Sequence, residues 1–281
     1  MSGKNTVAFL VLTPDQICQF RAMIWDFYAR HRRIFAWRHV EDPYAVLVSE
    51  IMLQQTQTYR VAGKYEHFLT ELPNFKALAG ASSHTLLRCW QGLGYNRRAL
   101  YLQKIAQLVV SQHNGQLPND PQILQNFPGL GAATAASVCV FSFNRPHVFI
   151  ETNIRAVFIH SFFGSAQKVH DREIMPLVEQ TLDASAPRDW FYALMDFGVM
   201  LKKTYANPSR ASAHHTKQSK FEGSDRQLRG AVLRALLAHK NMPVEQLVTA
   251  LAVEPERAKK IVMQLQEEKF LVVEDGQAQL F

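Results

Sequence analysis

From Thr13 to Leu201 the apolar residues recur at the three- and four-residue spacing of helices, and β-branched runs of strand length are scarce. This property confines the segment to an all-α body. Helices are expected over 14–31, 43–56, 59–70, 74–79, 83–90, 96–114, 120–126, 131–143, 151–162, 171–184 and 189–201. Regular breaks separate them: Leu72-Pro73, Gly92-Leu93-Gly94, Leu117-Pro118, Pro128-Gly129-Leu130-Gly131 and Ala186-Pro187. From about Ala206 to Ser224 the periodicity stops and the chain turns polar and basic, which reads as a linker or as an extended arm lying on something anionic. Helical patterns return at 225–239, 243–251 and 255–268, followed by two alternating segments around Asp275-Gly276, a hairpin signal. Three short helices and a hairpin predict a small winged-helix (α+β) module over 225–281. Arg257, Lys259 and Lys260 of its third helix would then face a groove or a backbone. A small bundle that only packs on the main body is the other reading.

The segment after Asp42 carries the first chemical signal. Asp42 is a good N-cap and Pro43 suits the first helical position. Tyr44, Leu47, Val48, Ile51 and Met52 form one face, and Ala45, Val46 and Leu53 place apolar groups on the others. Such a helix is buried nearly all round, yet it contains Glu50. A buried, unpaired carboxylate is costly, so it would take up a proton and titrate well above its solution value. That is what a general acid needs near neutral pH. From the helix alone, the alternative stays open that Glu50 faces water or pairs with an arginine.

The formal net charge of +7 favours a polyanionic partner, and its distribution is uneven. Between Val199 and Phe221 there is no acid, while Lys202, Lys203, Arg210, Lys217 and Lys220 are all basic. The three cysteines, Cys18, Cys89 and Cys139, are far apart, form no metal-ligand pattern and read as small core residues in a reducing compartment. The apolar run Val7–Leu12 is too short for a signal peptide and no stretch could span a bilayer, so a cytoplasmic protein is expected.

Asn126-Phe127-Pro128-Gly129-Leu130-Gly131-Ala132-Ala133 joins a short helix to a very apolar one. Two glycines allow positive φ and a close backbone approach, and the first amides of the second helix make an anion site. This is the pattern of a helix-hairpin-helix, which grips a DNA phosphate without reading sequence. Twenty residues past Gly131 a second carboxylate, Glu151, follows an apolar run and opens a helix, where it also suits the helix dipole.

Together these pieces resemble the helix-hairpin-helix DNA glycosylase superfamily, with the MutY-type adenine DNA glycosylases as the nearest pattern. The likeness runs from about Phe35 to Leu201, roughly three-fifths of the chain. It is carried by Ser49–Gln57, Trp90-Gln91-Gly92-Leu93-Gly94-Tyr95, Met195-Asp196-Phe197-Gly198 and Trp37-Arg38, with Ala36 where the family usually has proline. The resemblance implies that Glu50 protonates the departing base and Glu151 stabilises an oxocarbenium-like sugar, the two-carboxylate logic of glycoside hydrolysis. It implies that the target nucleotide is flipped from the stack. Gln54, Gln55 and Thr56 would form the wedging segment, with Gln55 in the stack and Thr56 on the opposite base. Tyr95 would intercalate beside it, Gly129 and Gly131 would hold a phosphate, and Asn153 matches a family asparagine. Trp37, Arg38, Lys202, Lys203, Lys217 and Lys220 complete the expected DNA-binding set.

Four departures shape the expectation. Glu151 stands where the family has aspartate, one methylene shorter. Ala133 stands where MutY-type enzymes have tyrosine or serine and endonuclease III relatives a Schiff-base lysine, so β-lyase chemistry by that route is not expected. The four cysteines of the iron–sulfur loop that follows the Asp196–Gly198 region in many relatives are replaced by lysines and serines. A winged helix follows where MutY-type enzymes carry a domain that reads 8-oxoguanine. The expected architecture is therefore a two-lobed all-α glycosylase core over 1–205, with 38–146 as one lobe and 1–37 plus 147–205 as the other. A basic arm over 206–224 and the winged helix complete it. The expected activity is monofunctional excision of adenine opposite guanine or 8-oxoguanine from double-stranded DNA, by a monomer away from any membrane. Neither metal nor cluster is expected to take part, beyond at most a monovalent cation at the hairpin carbonyls. Two other readings remain: a uracil or thymine mismatch glycosylase, and a DNA-binding reader that has lost catalysis.

Overall fold

The computed structural model describes residues 10–217 and 219–281. Of the short N-terminal apolar run, Val7, Ala8 and Phe9 lie outside the described residues. The helices are α1 (Pro14–His31), α2 (Pro43–Leu53), α3 (Thr58–Glu71), α4 (Phe75–Ala79), α5 (Ser83–Trp90), α6 (Arg97–Gln112), α7 (Pro121–Leu124), α8 (Ala132–Phe143), α9 (Thr152–Phe162), α10 (Asp171–Thr181) and α11 (Pro187–Thr204). The C-terminal part adds α12 (Asp225–Ala238), β1 (Asn241–Pro243), α13 (Val244–Ala250), α14 (Pro255–Glu267), β2 (Leu271–Glu274) and β3 (Gln277–Leu280). Two compact units result: the chain up to Val46 with Pro118–Lys217, and Leu47–Leu117 with the chain beyond Lys217. Among the described residues no helix is long and apolar enough to cross a membrane.

The first unit is built on α11 and α9, with α1 packed against α11. The α1 stripe Phe20, Ile24, Tyr28 is buried at a spacing of four, and Phe20 sits 5.4 Å from Phe158 of α9, centre to centre. Tyr192 of α11 stacks on Phe141 at 4.5 Å and Phe191 on Phe149 at 4.2 Å. Cys18 corrects an expectation: it is exposed, because it falls off the Phe20 stripe, whereas Cys89 and Cys139 are buried as expected. Burial pushes the Cys139 thiol up to about 12.

The segment after α11 differs from a free arm. Lys202 and Lys203 belong to the last turn of α11. A 3-10 turn over Pro208–Ala211 then packs on α9. The Val169 amide donates to the Ala211 carbonyl and the Ala213 amide to the Val169 carbonyl, both at 2.9 Å. Composition alone concealed this, because backbone hydrogen bonds do not depend on side-chain polarity.

In the second unit α4 lies on α6 and α3 on α5. The C-terminal residues form a winged helix: α12, α13 and α14 cover a sheet of order β1-β3-β2, antiparallel throughout. Asp275 (φ 49°) and Gly276 (φ 73°) both take the left-handed conformation that a two-residue type I′ hairpin requires. Strand β1 escaped prediction because three residues are too few to display alternation. The module shares a core with the main body, since Leu87 of α5 is buried with Leu228, Val232, Leu233 and Leu236 of α12. Arg97 of α6 and Arg229 of α12 both pair with Glu268.

Candidate active site

Helix α2 begins as expected, with Asp42 Oδ1 accepting from the Tyr44 amide at 3.1 Å. From Tyr44 to Met52 every residue is buried except Glu50, which is half-buried. Glu50 is therefore the opening in an apolar coat. Beyond the helix, Gln54 and Thr56 are half-buried and Gln55 is exposed, in the left-handed conformation at φ 53°.

A residue that sequence reasoning passed over holds this segment. Arg98 of α6 is buried, and its Nη1 donates to the carbonyls of Ile51 (2.8 Å), Met52 (2.9 Å) and Gln54, the orphan acceptors at the end of α2. Its Nη2 donates to Thr56 Oγ1 at 2.9 Å and to the Gly94 carbonyl at 3.0 Å. One guanidinium thus ties the Gln54–Thr56 segment to the Gly92–Tyr95 turn. Burial draws its pKa down to about 10. The available signal was spacing: Arg98 is in register with Leu102, Ile105 and Val109 on the apolar face of α6. Tyr95, at φ 47°, is held between the guanidinium groups of Arg98 and Arg226, 5.4 and 5.5 Å from its ring centre, and accepts from Arg226 Nη1 at 2.7 Å. Gln54, Gln55 and Tyr95 line one groove of about 910 Å³.

In the first unit Glu151 is the N-cap of α9. Its Oε1 accepts from the Asn153 and Ile154 amides at 2.8 and 2.9 Å, and its Oε2 from Asn153 Nδ2 at 3.0 Å. With Nδ2 so engaged, Asn153 Oδ1 is a buried acceptor with no partner among the described residues. Lys202 of α11 is half-buried close to this cap: burial lowers its pKa, while the charge of Glu151 opposes that shift. Lys203, Lys217 and Lys220 are exposed. Packing at the cap depends on Gly198, where a Cβ would stand 2.3 Å from the Asn153 carbonyl oxygen.

The hairpin is anchored by buried Phe127 and Leu130, with Gly129, Gly131, Ala132 and Ala133 exposed. Gly129 needs its glycine, at φ 78°. Gly131 departs from the expected positive φ: it is an extended N-cap at φ −81°, α8 has no side-chain cap, and nothing lies within 4 Å of where its Cβ would be. Trp37 and Arg38 also differ from expectation. Both are buried, and Arg38 donates from Nη1 and Nη2 to Asp196 at 2.7 Å each, so neither presents a surface to DNA. Burial alone would raise the Asp196 carboxyl, but hydrogen bonds from Arg38 and Arg33 outweigh it and hold the pKa below its usual value. Together they fasten the Phe35–Arg38 turn to α11.

Comparison with known proteins adds a family to this geometry. Residues 48–186 match the family described as HhH-GPD superfamily base excision DNA repair protein. The chain is 36% identical over 157 residues to the adenine DNA glycosylase of Mycobacterium tuberculosis, covering 56% of this chain and 51% of that one. It therefore spans about half the length of that relative. It is 30% identical over 231 residues to the adenine DNA glycosylase of Mycolicibacterium smegmatis, covering 75% of this chain and 78% of the relative. Among solved structures it is similar to a thermostable thymine-DNA glycosylase, with a TM-score of 0.60 and 26% identity over 66% of this chain and 86% of the other.

Proposed function

The chain belongs to the HhH-GPD superfamily of base excision DNA repair proteins, and from that premise we propose that it is a monofunctional DNA glycosylase releasing adenine mispaired with guanine or 8-oxoguanine in double-stranded DNA. Glu50 acts as the general acid. It delivers a proton to the leaving base through the opening it makes in the coat of α2. As the glycosidic bond lengthens, positive charge develops on the sugar, and Glu151 stabilises it electrostatically. The observation that carries this reading is the clamp on Glu151. Two backbone amides and Asn153 Nδ2 occupy three of the roughly four acceptor sites of its carboxylate, so its position is set before substrate arrives. Asn153 Oδ1, a buried acceptor without a partner among the described residues, accepts a hydrogen bond from the attacking water and so orients it.

Ala133 lies exposed on the first turn of α8 and offers no amine, so strand cleavage through a Schiff base at that position does not follow base release. The residues do not fit an iron–sulfur cluster either. The chain has three cysteines, and two of them are buried in different units. The hairpin grips backbone phosphate with the amides that open α8. Likeness to a thymine-DNA glycosylase supports a second substrate reading, thymine or uracil opposite guanine, with the same two carboxylates.

A panel of labelled duplexes tests both readings: adenine opposite guanine or 8-oxoguanine, and thymine or uracil opposite guanine, followed by alkaline cleavage at abasic sites. Glu50→Gln is expected to lower the single-turnover rate about 10²- to 10⁴-fold and to leave binding intact. Abasic product from none of the duplexes, with tight binding retained, refutes the enzyme and leaves a DNA-binding reader. A DNA complex with the carboxyl groups of Glu50 and Glu151 more than about 10 Å apart refutes the shared mechanism.

A further inference from the structure

The groove that takes in the wedging segment is strongly cationic on both sides. Arg60, Arg97 and Arg98 line it from the main body and Arg226, Arg229 and Arg234 from α12, while Glu268 is the one acid among the described lining residues. Glu268 is already shared by Arg97 and Arg229, and Arg98 is spent on carbonyls. Arg60, Arg226 and Arg234 have no acidic partner among the described residues: Arg60 donates to the Gly92 carbonyl and Arg226 to Tyr95 Oη and the Ser219 carbonyl, so each keeps its full positive charge. Aromatic rings are interleaved with these cations: Tyr59 (72% exposed), Phe221 (58% exposed) and Tyr95 line the same groove. Guanidinium groups for phosphates and exposed rings for base stacking are the two elements of a single-strand binding surface. The third helix of the winged module lacks this character. Its Arg257 is held by Asp225 and the Gly223 carbonyl, its Lys259 by Glu256, and the Glu254 carboxylate caps its first turn.

We propose that this groove binds the DNA strand opposite the excised base at and beside its one unpaired nucleotide, and that the winged-helix module grips it with its first helix, α12, instead of its third. The assignment of strand rests on the glycosylase reading above, because Gln55 and Tyr95 stand at the wedge and the base left behind by flipping is the nearest unpaired one. The estranged base stacks in the Tyr95–Phe221 region, and Arg226 passes from the Tyr95 ring to a phosphate. Arg60 and Arg234 take further phosphates.

The full-length protein is titrated by fluorescence anisotropy with two probes across a salt series. One is a single-stranded oligothymidylate and the other a duplex with a tetrahydrofuran abasic analogue opposite guanine. Arg226→Ala/Arg234→Ala is expected to weaken binding of both at least tenfold and to flatten the salt slope for the single strand by about 1.4, two contacts at about 0.7 each. Phe221→Ala is expected to weaken the single strand about tenfold, the loss of one stacked base. Phosphate-ethylation interference on the duplex should lose its signal in the double variant on the strand opposite the analogue. Thermal melts equal to wild type for Arg234→Ala and Phe221→Ala, both exposed sites, exclude unfolding as the cause. Wild-type affinity of the variants for either probe overturns the proposal. So does loss of the interference signal on the analogue strand, or transfer of the affinity loss to Lys259→Ala/Lys260→Ala. Failure of the glycosylase reading registers separately, as absence of abasic product from wild-type protein on the duplex panel.

Discussion

Replacing Gly198 with alanine puts a methyl group where the Asn153 backbone already stands. The added Cβ would lie 2.3 Å from the Asn153 carbonyl oxygen and 2.8 Å from both its carbonyl carbon and its Cβ. Restoring ordinary contact requires α11 and the first turn of α9 to part by about 1 Å, since packed interiors absorb added volume by strain. Overpacking of this kind costs about 1–3 kcal/mol, and each kcal/mol lowers the melting temperature of a chain this size by roughly 2–4 °C. The kinetic effect should be larger than the thermal one. Glu151 is tied to Asn153 by two hydrogen bonds, so the carboxylate moves with the turn, and a displacement of about 1 Å costs on the order of 10² in rate. Single-turnover excision with saturating enzyme, a melting curve and equilibrium binding together read this out: a slower step, a lower melting temperature, unchanged affinity. Gly131→Ala is the contrast, because no atom lies within 4 Å of its Cβ position. It should melt like wild type and weaken DNA binding instead. Wild-type rate and melting temperature in Gly198→Ala refute the reasoning.

Further outcomes follow from the same geometry. Arg98→Met strips donors from the carbonyls of Ile51, Met52 and Gln54 and should cost about 2–4 kcal/mol in denaturant unfolding; Arg98→Lys should not restore it, because a point charge cannot replace the planar fork. Asp196 has a depressed pKa, so its contribution to stability is complete above the unfolded value near 3.9 and disappears as pH falls through the lower folded value. Urea midpoints measured from pH 7 down to 3 should therefore fall more steeply for wild type than for Asp196→Asn. Lys203→Ala/Lys217→Ala/Lys220→Ala removes exposed cations and should reduce the salt slope of duplex binding by up to about 2.7, with base-pair preference unchanged. A kept slope with lost preference would show that these lysines read the lesion. Lys202 is omitted from that set because it is half-buried near Glu151, and Lys202→Ala should alter the excision rate more than the salt slope.

Helix positions, the I′ hairpin at Asp275-Gly276 and the buried coat of α2 were legible in the chain, because each depends on neighbours within a few residues. Periodicity reports which face is buried, and caps and left-handed turns are local. Glu151 as the opening residue of α9 and Gly129 as the turn residue of the hairpin were legible for the same reason. What the sequence could not decide was which polar group meets which across long separations. Arg38 was expected, with Trp37, among the DNA-binding residues and is a buried partner of Asp196, 158 residues away. Arg98 carries no motif that singles it out, yet it is the tie that holds the end of α2, 44 to 47 residues earlier in the chain. Gly198 sat in a recognisable motif, but its reason lies in the Asn153 backbone pressed against it. Composition marked the segment after Leu201 as a basic arm, whereas two backbone bonds to Val169 pin part of it. Local pattern determines which elements form; hydrogen-bond pairing and close packing exist only once those elements have met, and they decide what each charged side chain is for.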